Sequence, residues 1–172
     1  MKIIGFTYVD GHPEMVLKGD SCLLVNRKPF FKPDWTNDVR MNRCVVLRVS
    51  RLGKGIAAKF AERYYDAIAP GADFVAWDIL EQARRNGESW TKATCFDYSL
   101  AVGGWEESAE MAVSPNAESR ELVVPIAEAV EQASKVMTIR QGDLIYIHYR
   151  EAARRVERDE VIEEENLYCK IK

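Results

Sequence analysis

Short apolar runs separated by turn residues fill the N-terminal third of the chain. Three such runs occur within residues 3–25, and Gly, Asp and Pro lie between and after them. This spacing is typical of β-strands joined by loops. Residues 45–50 alternate as a strand does, with Val45, Leu47 and Val49 on one face. We therefore expect at least one face of this strand to be buried.

A helical period follows in residues 56–68. Large apolar side chains recur there every four residues, at Ile56, Phe60, Tyr64 and Ile68, before a Pro-Gly pair. We therefore predict an α-helix over this segment, with those four side chains packed on the core.

Two more helices and a closing strand are predicted further along. Residues 78–86 carry an acidic residue in the first turn and arginines in the last, and Gly87 follows them, which matches the helix dipole. A helix that begins at Pro125 places apolar residues on one side. The Gln-Gly-Asp turn at 141–143 then leads into a strand at 144–149.

Two polar stretches are interpreted as surface. Residues 106–121 hold few large aliphatic side chains, which predicts an exposed loop. Residues 150–166 are densely charged with both signs, which is typical of the solvated face of a helix or strand. A length of 172 residues predicts a single domain spanning 1–172.

Composition narrows the possible partners. The net charge of -3 and the pI near 5.5 provide no broad positive field, so we expect no nucleic-acid partner. No apolar run approaches the ~20 residues that cross a bilayer. We therefore expect a cytoplasmic protein with no membrane association.

Four cysteines are spread along the chain. They are Cys22, Cys44, Cys95 and Cys169, and no two of them form a C-x-x-C pair. Their spacing indicates neither a zinc site nor a redox pair. We expect reduced thiols, most of them buried.

Four ordered segments resemble the short proteins of the fumarylacetoacetate hydrolase (FAH) superfamily. They are residues 45–56, the stretch 63–78 that ends in Asp-Phe-Val-Ala-Trp-Asp, residues 134–145 with Thr-Ile-Arg-Gln-Gly-Asp, and, more weakly, residues 16–21 with Pro-Phe-Phe at 29–31. The resemblance implies a mainly β fold with flanking helices (α+β), built on an FAH-like rolled mixed β-sheet core. It also implies a homodimer. Compared with the family, the loops near 9–15 and 106–121 are shortened.

The resemblance also implies a metal site. FAH-superfamily enzymes catalyse cleavage, decarboxylation or isomerisation of their substrates beside a 2-oxo or 1,3-dicarbonyl group. Three carboxylates of the protein hold the Mg²⁺ or Mn²⁺ ion that this chemistry uses. Those ligand positions fall on Asn42, Cys44 and Asp73, of which only Asp73 is a carboxylate. A thiol and an amide are poor substitutes around a hard ion. We expect Asp73 to be a remnant that accepts backbone hydrogen bonds or pairs with a neighbouring Arg or Lys, while Trp77 and Arg43 fill the ion's space.

Other family positions differ as well. The Arg that holds the substrate carboxylate corresponds to Trp77, and the Lys that neutralises the oxyanion corresponds to Thr94, with Lys92 as a weak candidate to replace it. His12 and Glu14 are weak candidates for the family's water-activating pair, because their spacing has changed. No catalytic or substrate-binding residue is assigned beyond these.

Two main functions stay open. The favoured one is an FAH-superfamily protein with an eroded site, which serves as a non-catalytic scaffold or ligand-sensing module for an unknown small molecule and needs no cofactor. The alternative is a divergent metal-dependent hydrolase, decarboxylase or isomerase of a 2-oxo or 1,3-dicarbonyl acid. It would use Asp73, Asp20 and either His12 or His148 around Mg²⁺, Mn²⁺ or another metal. A third possibility is that the resemblance is architectural and the chain is a binding module for another ligand.

Overall fold

A large mixed β-sheet dominates the structure, a computed structural model that describes residues 1–9, 12–25, 27–107, 121–164 and 166–172. Its strands are β1 (Ile3–Val9), β2 (His12–Lys18), β3 (Leu23–Val25), β4 (Val39–Val49), β5 (Tyr65–Ala76), β6 (Leu100–Val102), β7 (Glu106–Glu107), β8 (Leu144–His148), β9 (Arg154–Arg155), β10 (Val161–Glu164) and β11 (Leu167–Lys170). The α-helices are α1 (Trp77–Asn86), α2 (Thr91–Thr94) and α3 (Ile126–Val136). Two short 3-10 helices cover Asp20–Cys22 and Ala58–Arg63.

Seven strands follow one another across the main sheet in the order β2-β1-β8-β4-β5-β6-β3. The short strands β7 and β9 add to β5 and β4, and β10 pairs with β11 in a separate hairpin. The β1–β8 and β3–β6 pairs are parallel, whereas the others in the sheet are antiparallel. The predicted mixed, sheet-dominated α+β fold is therefore confirmed.

The main sheet is rolled. Its two outer strands are consecutive in the chain, because β2 ends at Lys18 and β3 begins at Leu23. Five residue steps reach at most about 18 Å. In a flat sheet, six strand spacings would separate these strands by about 29 Å. The sheet must curl to bring its edges together, as the resemblance implied.

Both faces of β4 are buried at the centre of this roll. Val45, Leu47 and Val49 belong to an apolar cluster that also contains residues of α3. Cys44 and Val46 face a second cluster on the opposite side. The prediction of a strand with a buried face is confirmed, and the second buried face explains why its apolar run is nearly continuous.

The prediction of an α-helix over residues 56–68 is wrong. Only a 3-10 helix, Ala58–Arg63, forms there, and Ile68 lies in β5. Ile56 and Ile68 are buried, but Phe60 is 39% exposed. The cause is tertiary: β5 pairs with β4 along most of its length and with β6 on its other side. That pairing outweighs a four-residue period that also suits a helix.

The other predicted helices and the closing strand are present. α1 ends at Gly87, whose φ of 66° is the left-handed conformation that glycine favours. α3 begins directly after Pro125, and β8 follows the turn at Gly142. Residues 108–120 of the predicted loop lie outside the described residues. None of the described helices has the length and apolar character needed to cross a bilayer.

One glycine in β1 is required by close packing, which gives a first prediction. A Cβ atom on Gly5 would lie 2.1 Å from Cζ of Tyr146, a fully buried side chain on β8. We expect Gly5→Ala to lower the free energy of unfolding by about 1–3 kcal/mol, because the ring must move in a close-packed core. Urea denaturation with an unchanged m-value measures this.

The matched control is Gly19→Ala. A Cβ atom at Gly19 meets nothing within 4 Å, and its φ of -79° suits any residue. We expect this variant to stay within about 0.5 kcal/mol of the parent. Equal stability of the two alanine variants would contradict the packing argument.

Candidate functional site

The register of three strands brings the predicted ligand positions together. Asn42 on β4 lies opposite Asp73 on β5, and Cys44 lies opposite His148 on β8. Directly opposed residues share a face of a sheet, as do residues two apart on one strand. The three family positions therefore form one group, and His148 joins it.

Lys18, at the end of β2, occupies the centre of this group. Its Nζ lies 2.7 Å from Oδ1 of Asp73, and both side chains are almost completely shielded from solvent. The same ammonium donates a hydrogen bond of 2.8 Å to Oγ of Ser99 and another to the backbone carbonyl of Thr94. Three protein oxygens therefore surround the ammonium of Lys18, two of them through hydrogen bonds and one through the ion pair.

His148 engages the second oxygen of Asp73. Its Nε2 lies 2.9 Å from Oδ2, and the imidazole is 5% exposed. Burial alone would raise the pKa of Asp73, but the Lys18 ammonium and the His148 hydrogen bond outweigh it and hold this pKa below its usual range. Oδ1 of Asp73 is thus in an ion pair with Lys18, and Oδ2 is in contact with His148. The expectation that Asp73 pairs with a neighbouring Lys agrees with this geometry.

The remaining polar neighbours are neutral. Burial raises the pKa of the Cys44 thiol well above its usual value, and the nearby Asp73 charge adds to this. Burial likewise raises the pKa of Tyr146 well above its usual value. The Tyr146 hydroxyl has no hydrogen-bond partner among the described residues. The Lys18–Asp73 ion pair is thus buried beside a thiol and a phenol that stay protonated.

This donor set does not suit a hard divalent cation. Mg²⁺ needs several oxygen ligands around it, yet the carboxylate of Asp73 is already engaged by Lys18 and His148. Cys44 offers a buried neutral thiol rather than a carboxylate. Among the described residues, no cluster of three or more His, Cys, Asp or Glu side chains could hold a metal.

Two side chains expected to fill the ion's space have other described partners than Asp73. Trp77 donates its indole N–H to Glu81 at 3.1 Å at the start of α1. Arg43 donates to Glu151 at 2.8 Å near the surface. Sequence reasoning was wrong here, because the space beside Asp73 is taken by Lys18 and His148 instead.

The three weak catalytic candidates are all exposed. His12 and Glu14 lie on the edge strand β2, and Lys92 lies in α2 with its ammonium 5.9 Å from the ring of Trp35. None of them is among the described partners of Asp73. Asp10 and Gly11 of the same N-terminal motif lie outside the described residues.

A cavity of about 260 Å³ adjoins the buried group at His148. Its wall is largely apolar and aromatic, with a few polar side chains and one guanidinium: Thr7, Tyr8, Asn42, Val75, Trp77, Leu80, Arg84, Trp90, Thr94 and His148. His148 uses Nε2 for its hydrogen bond to Asp73. The cavity therefore combines aromatic and aliphatic side chains with a nearly buried imidazole in one wall.

Comparison with protein families gives one match over most of the chain. The family described as Fumarylacetoacetate (FAA) hydrolase C-terminal matches residues 6–147. No curated protein sequence gives a significant match.

Similar folds occur in solved structures. The fumarylpyruvate hydrolase from Pseudomonas aeruginosa, in complex with Mn²⁺ and pyruvate, has a TM-score of 0.82 at 18% identity. The alignment covers 99% of this chain and 88% of the hydrolase chain. The 5-carboxymethyl-2-hydroxymuconate delta-isomerase from Mycobacterium smegmatis has a TM-score of 0.81 at 21% identity. The alignment covers 99% of this chain and 76% of the isomerase chain. At these identities the likeness shows a shared fold.

The buried ion pair gives a second prediction. Lys18→Met or Asp73→Asn leaves one charge without its partner, so we expect each to cost about 3–5 kcal/mol of unfolding free energy. The double variant removes both charges and keeps an oxygen for His148. It should therefore be more stable than either single variant. Urea denaturation near neutral pH measures all four proteins.

The same proteins also test how the stability contributed by Asp73 depends on pH. The pKa of Asp73 is lowered in the folded state, so its contribution is present above its unfolded pKa of about 3.9 and is lost as pH falls through the folded value. The stability difference between the parent and the double variant should change between about pH 5 and pH 2. A difference that stays constant across this range would show that Asp73 titrates alike in both states.

Proposed function

The chain belongs to the fumarylacetoacetate hydrolase family, and from this premise we propose that it is a ligand-binding member in which a buried lysine replaces the catalytic metal. The observation that carries the proposal is the 2.7 Å ion pair between Lys18 and Asp73, from which solvent is excluded. Family chemistry depends on a divalent ion that binds the oxo-acid and stabilises its enolate. A buried ammonium that three protein oxygens already surround offers no open position to a substrate oxygen.

Two further differences support the loss of that chemistry. Trp77 stands where the resemblance expects the Arg that holds the substrate carboxylate, and it lines the cavity. Thr94 stands where a Lys would neutralise the oxyanion, and its carbonyl accepts a hydrogen bond from Lys18. The positive charge of Lys18 therefore lies in this region, but protein oxygens rather than a substrate bind it.

The cavity indicates the chemistry of the ligand. Its volume of about 260 Å³ equals that of about nine liquid waters, which suits a compact molecule. Trp77, Trp90 and Tyr8 provide flat surfaces that stack on a planar ring. Arg84, Asn42 and His148 supply polar groups in the same wall. We propose a small planar acid, aromatic or conjugated, as the ligand.

A second candidate function is metal-free proton transfer. Asp73 holds His148 through Nε2, and His148 lines the cavity, an arrangement in which a carboxylate can orient a general base. A similar fold carries a delta-isomerase, and isomerisation of a 1,3-dicarbonyl acid can proceed by proton transfer. Turnover of an acylpyruvate in excess chelator, abolished by His148→Gln, would favour this candidate over the first.

Homodimer formation and a cytoplasmic location are also part of the proposal. The homodimer is supported by the habit of the family. The location is supported by the absence of a membrane-spanning helix among the described elements together with the mildly acidic composition.

A third prediction concerns metal binding. Calorimetry should detect no stoichiometric binding of Mg²⁺ or Mn²⁺ to the parent protein, because Lys18 neutralises the remaining carboxylate. The triple variant Lys18→Ser, Asn42→Glu, Cys44→Glu removes the internal cation and restores three carboxylates, so it should gain binding. The double variant Asn42→Glu, Cys44→Glu is the matched control that keeps Lys18, and it should bind more weakly than the triple. Micromolar Mn²⁺ binding by the parent would overturn the proposal.

A fourth prediction concerns the ligand. Benzoate and cyclohexanecarboxylate share a carboxylate and a six-carbon ring but differ in planarity. We expect benzoate to bind at least about tenfold more tightly, a difference of about 1.4 kcal/mol, because it can stack between aromatic side chains. Trp77→Leu should remove most of this preference. Phe31→Leu should not, because Phe31 is 64% exposed and does not line the cavity.

Calorimetric titration of the three proteins measures these affinities. Equal binding of the two acids by the parent, or an equal preference in the Trp77→Leu variant, would contradict the assigned ligand class. The metal experiment stands apart from this one, so the loss of the metal site and the class of ligand can fail separately.

A further inference from the structure

Two cysteines that are far apart in the chain lie side by side in the fold. Sγ of Cys22 lies 3.6 Å from Sγ of Cys95, and 73 positions separate the two residues. Cys22 ends the first 3-10 helix, and Cys95 directly follows α2. The chain spacing indicated no redox pair, yet the topology brings these two thiols into contact.

Backbone contacts hold the two segments together without the sulfurs. The amide of Tyr98 donates to the carbonyl of Ser21 at 2.9 Å, directly beside Cys22. The amide of Cys95 donates to Thr91 at 2.8 Å and so continues the last turn of α2. The short sulfur–sulfur distance is thus set by the fold on both sides.

From this geometry we propose that Cys22 and Cys95 form a thiol–disulfide exchange site that small-molecule disulfides of the glutathione class oxidise to an intramolecular disulfide. The proposal stands on the cysteine geometry and does not depend on the proposed ligand. A disulfide needs a sulfur–sulfur distance near 2.05 Å. The existing 3.6 Å gap must therefore close by about 1.5 Å, which small rotations of two side chains can provide.

Exposure decides the order of the steps. Cys22 is completely buried, whereas Cys95 is partly accessible. Burial also raises the pKa of the Cys22 thiol, and its hydrogen bond with Cys95 adds to this. Cys95 is therefore the residue that meets the oxidant, and Cys22 is the one that resolves the intermediate.

Exchange with the small disulfide takes two steps. Cys95 loses its proton to solvent, and its thiolate attacks one sulfur of the small disulfide, whose S–S bond breaks and releases one small thiolate that takes up a proton. Cys22 then loses its proton to solvent and attacks Cys95 in the mixed disulfide, and the second small thiolate leaves and takes up a proton. Two protein thiols are oxidised, and one small disulfide is reduced to two thiols.

Oxidation would connect two segments that hold the buried ammonium. Cys22 lies four residues after Lys18, and Cys95 directly follows Thr94, whose carbonyl binds that ammonium. The bond would close a long loop and restrict the unfolded chain. We therefore expect the oxidised protein to have a Tm about 5 °C or more above that of the reduced protein.

The experiment treats the full folded chain with glutathione disulfide, blocks the remaining thiols and identifies the products by intact and peptide mass spectrometry. The parent should lose two hydrogen masses and yield one cross-linked peptide pair that contains Cys22 and Cys95. Cys22→Ser should instead retain one glutathionyl group on Cys95. Cys95→Ser should leave Cys22 as a free thiol over the same time.

Cys169→Ser is the matched control, because it removes another buried thiol that has no cysteine partner among the described residues. It should not change the product. If a serine variant fails to fold, the peptide map of the parent still decides the question. Recovery of both thiols unmodified, a mixed disulfide that never resolves, or a bond to Cys44 or Cys169 would overturn the proposal.

Discussion

An ammonium and a carboxylate, both removed from solvent, lie 2.7 Å apart inside the rolled sheet. In an apolar interior an isolated ion would cost more than the whole stability of a typical domain. Lys18 comes from the end of an edge strand and Asp73 from a central one. The charges can pair only when the sheet closes. Closure that brought in one charge without the other would be unfavourable, so the roll and the ion pair depend on each other.

The same pair makes sense of the differences at the expected metal ligands. A divalent ion with three carboxylates has a net charge of minus one. An ammonium with three carboxylates would leave minus two in the same interior. With Lys18 as the internal cation, neutral residues at Asn42 and Cys44 balance the site, and burial keeps the Cys44 thiol protonated by raising its pKa. In the proposed function, these differences amount to one electrostatic exchange.

Local pattern predicted the elements well wherever neighbouring residues decide the structure. Examples of local signals are the glycine that caps the end of α1, the Pro that precedes α3 and the alternation of β4. The helix prediction for residues 56–68 failed because strand partners far along the chain determine the conformation of β5. Lys18 was missed for a related reason: lysines are almost never buried. The sequence offered one signal for it: Asp73 is the one carboxylate among the expected ligands, and a buried carboxylate requires a cationic partner.

His148 connects the buried charges to the cavity, and this gives the site its remaining chemistry. Its Nε2 is fixed by Asp73, while the ring forms part of the cavity wall. The carboxylate behind this imidazole is already paired with the ammonium of Lys18 at 2.7 Å. The ion pair is neutral as a whole, so its field at the cavity is weaker than that of a lone carboxylate would be. In the proposed ligand-binding role, Lys18 would thus influence an anion that binds beside His148 without lining the cavity itself.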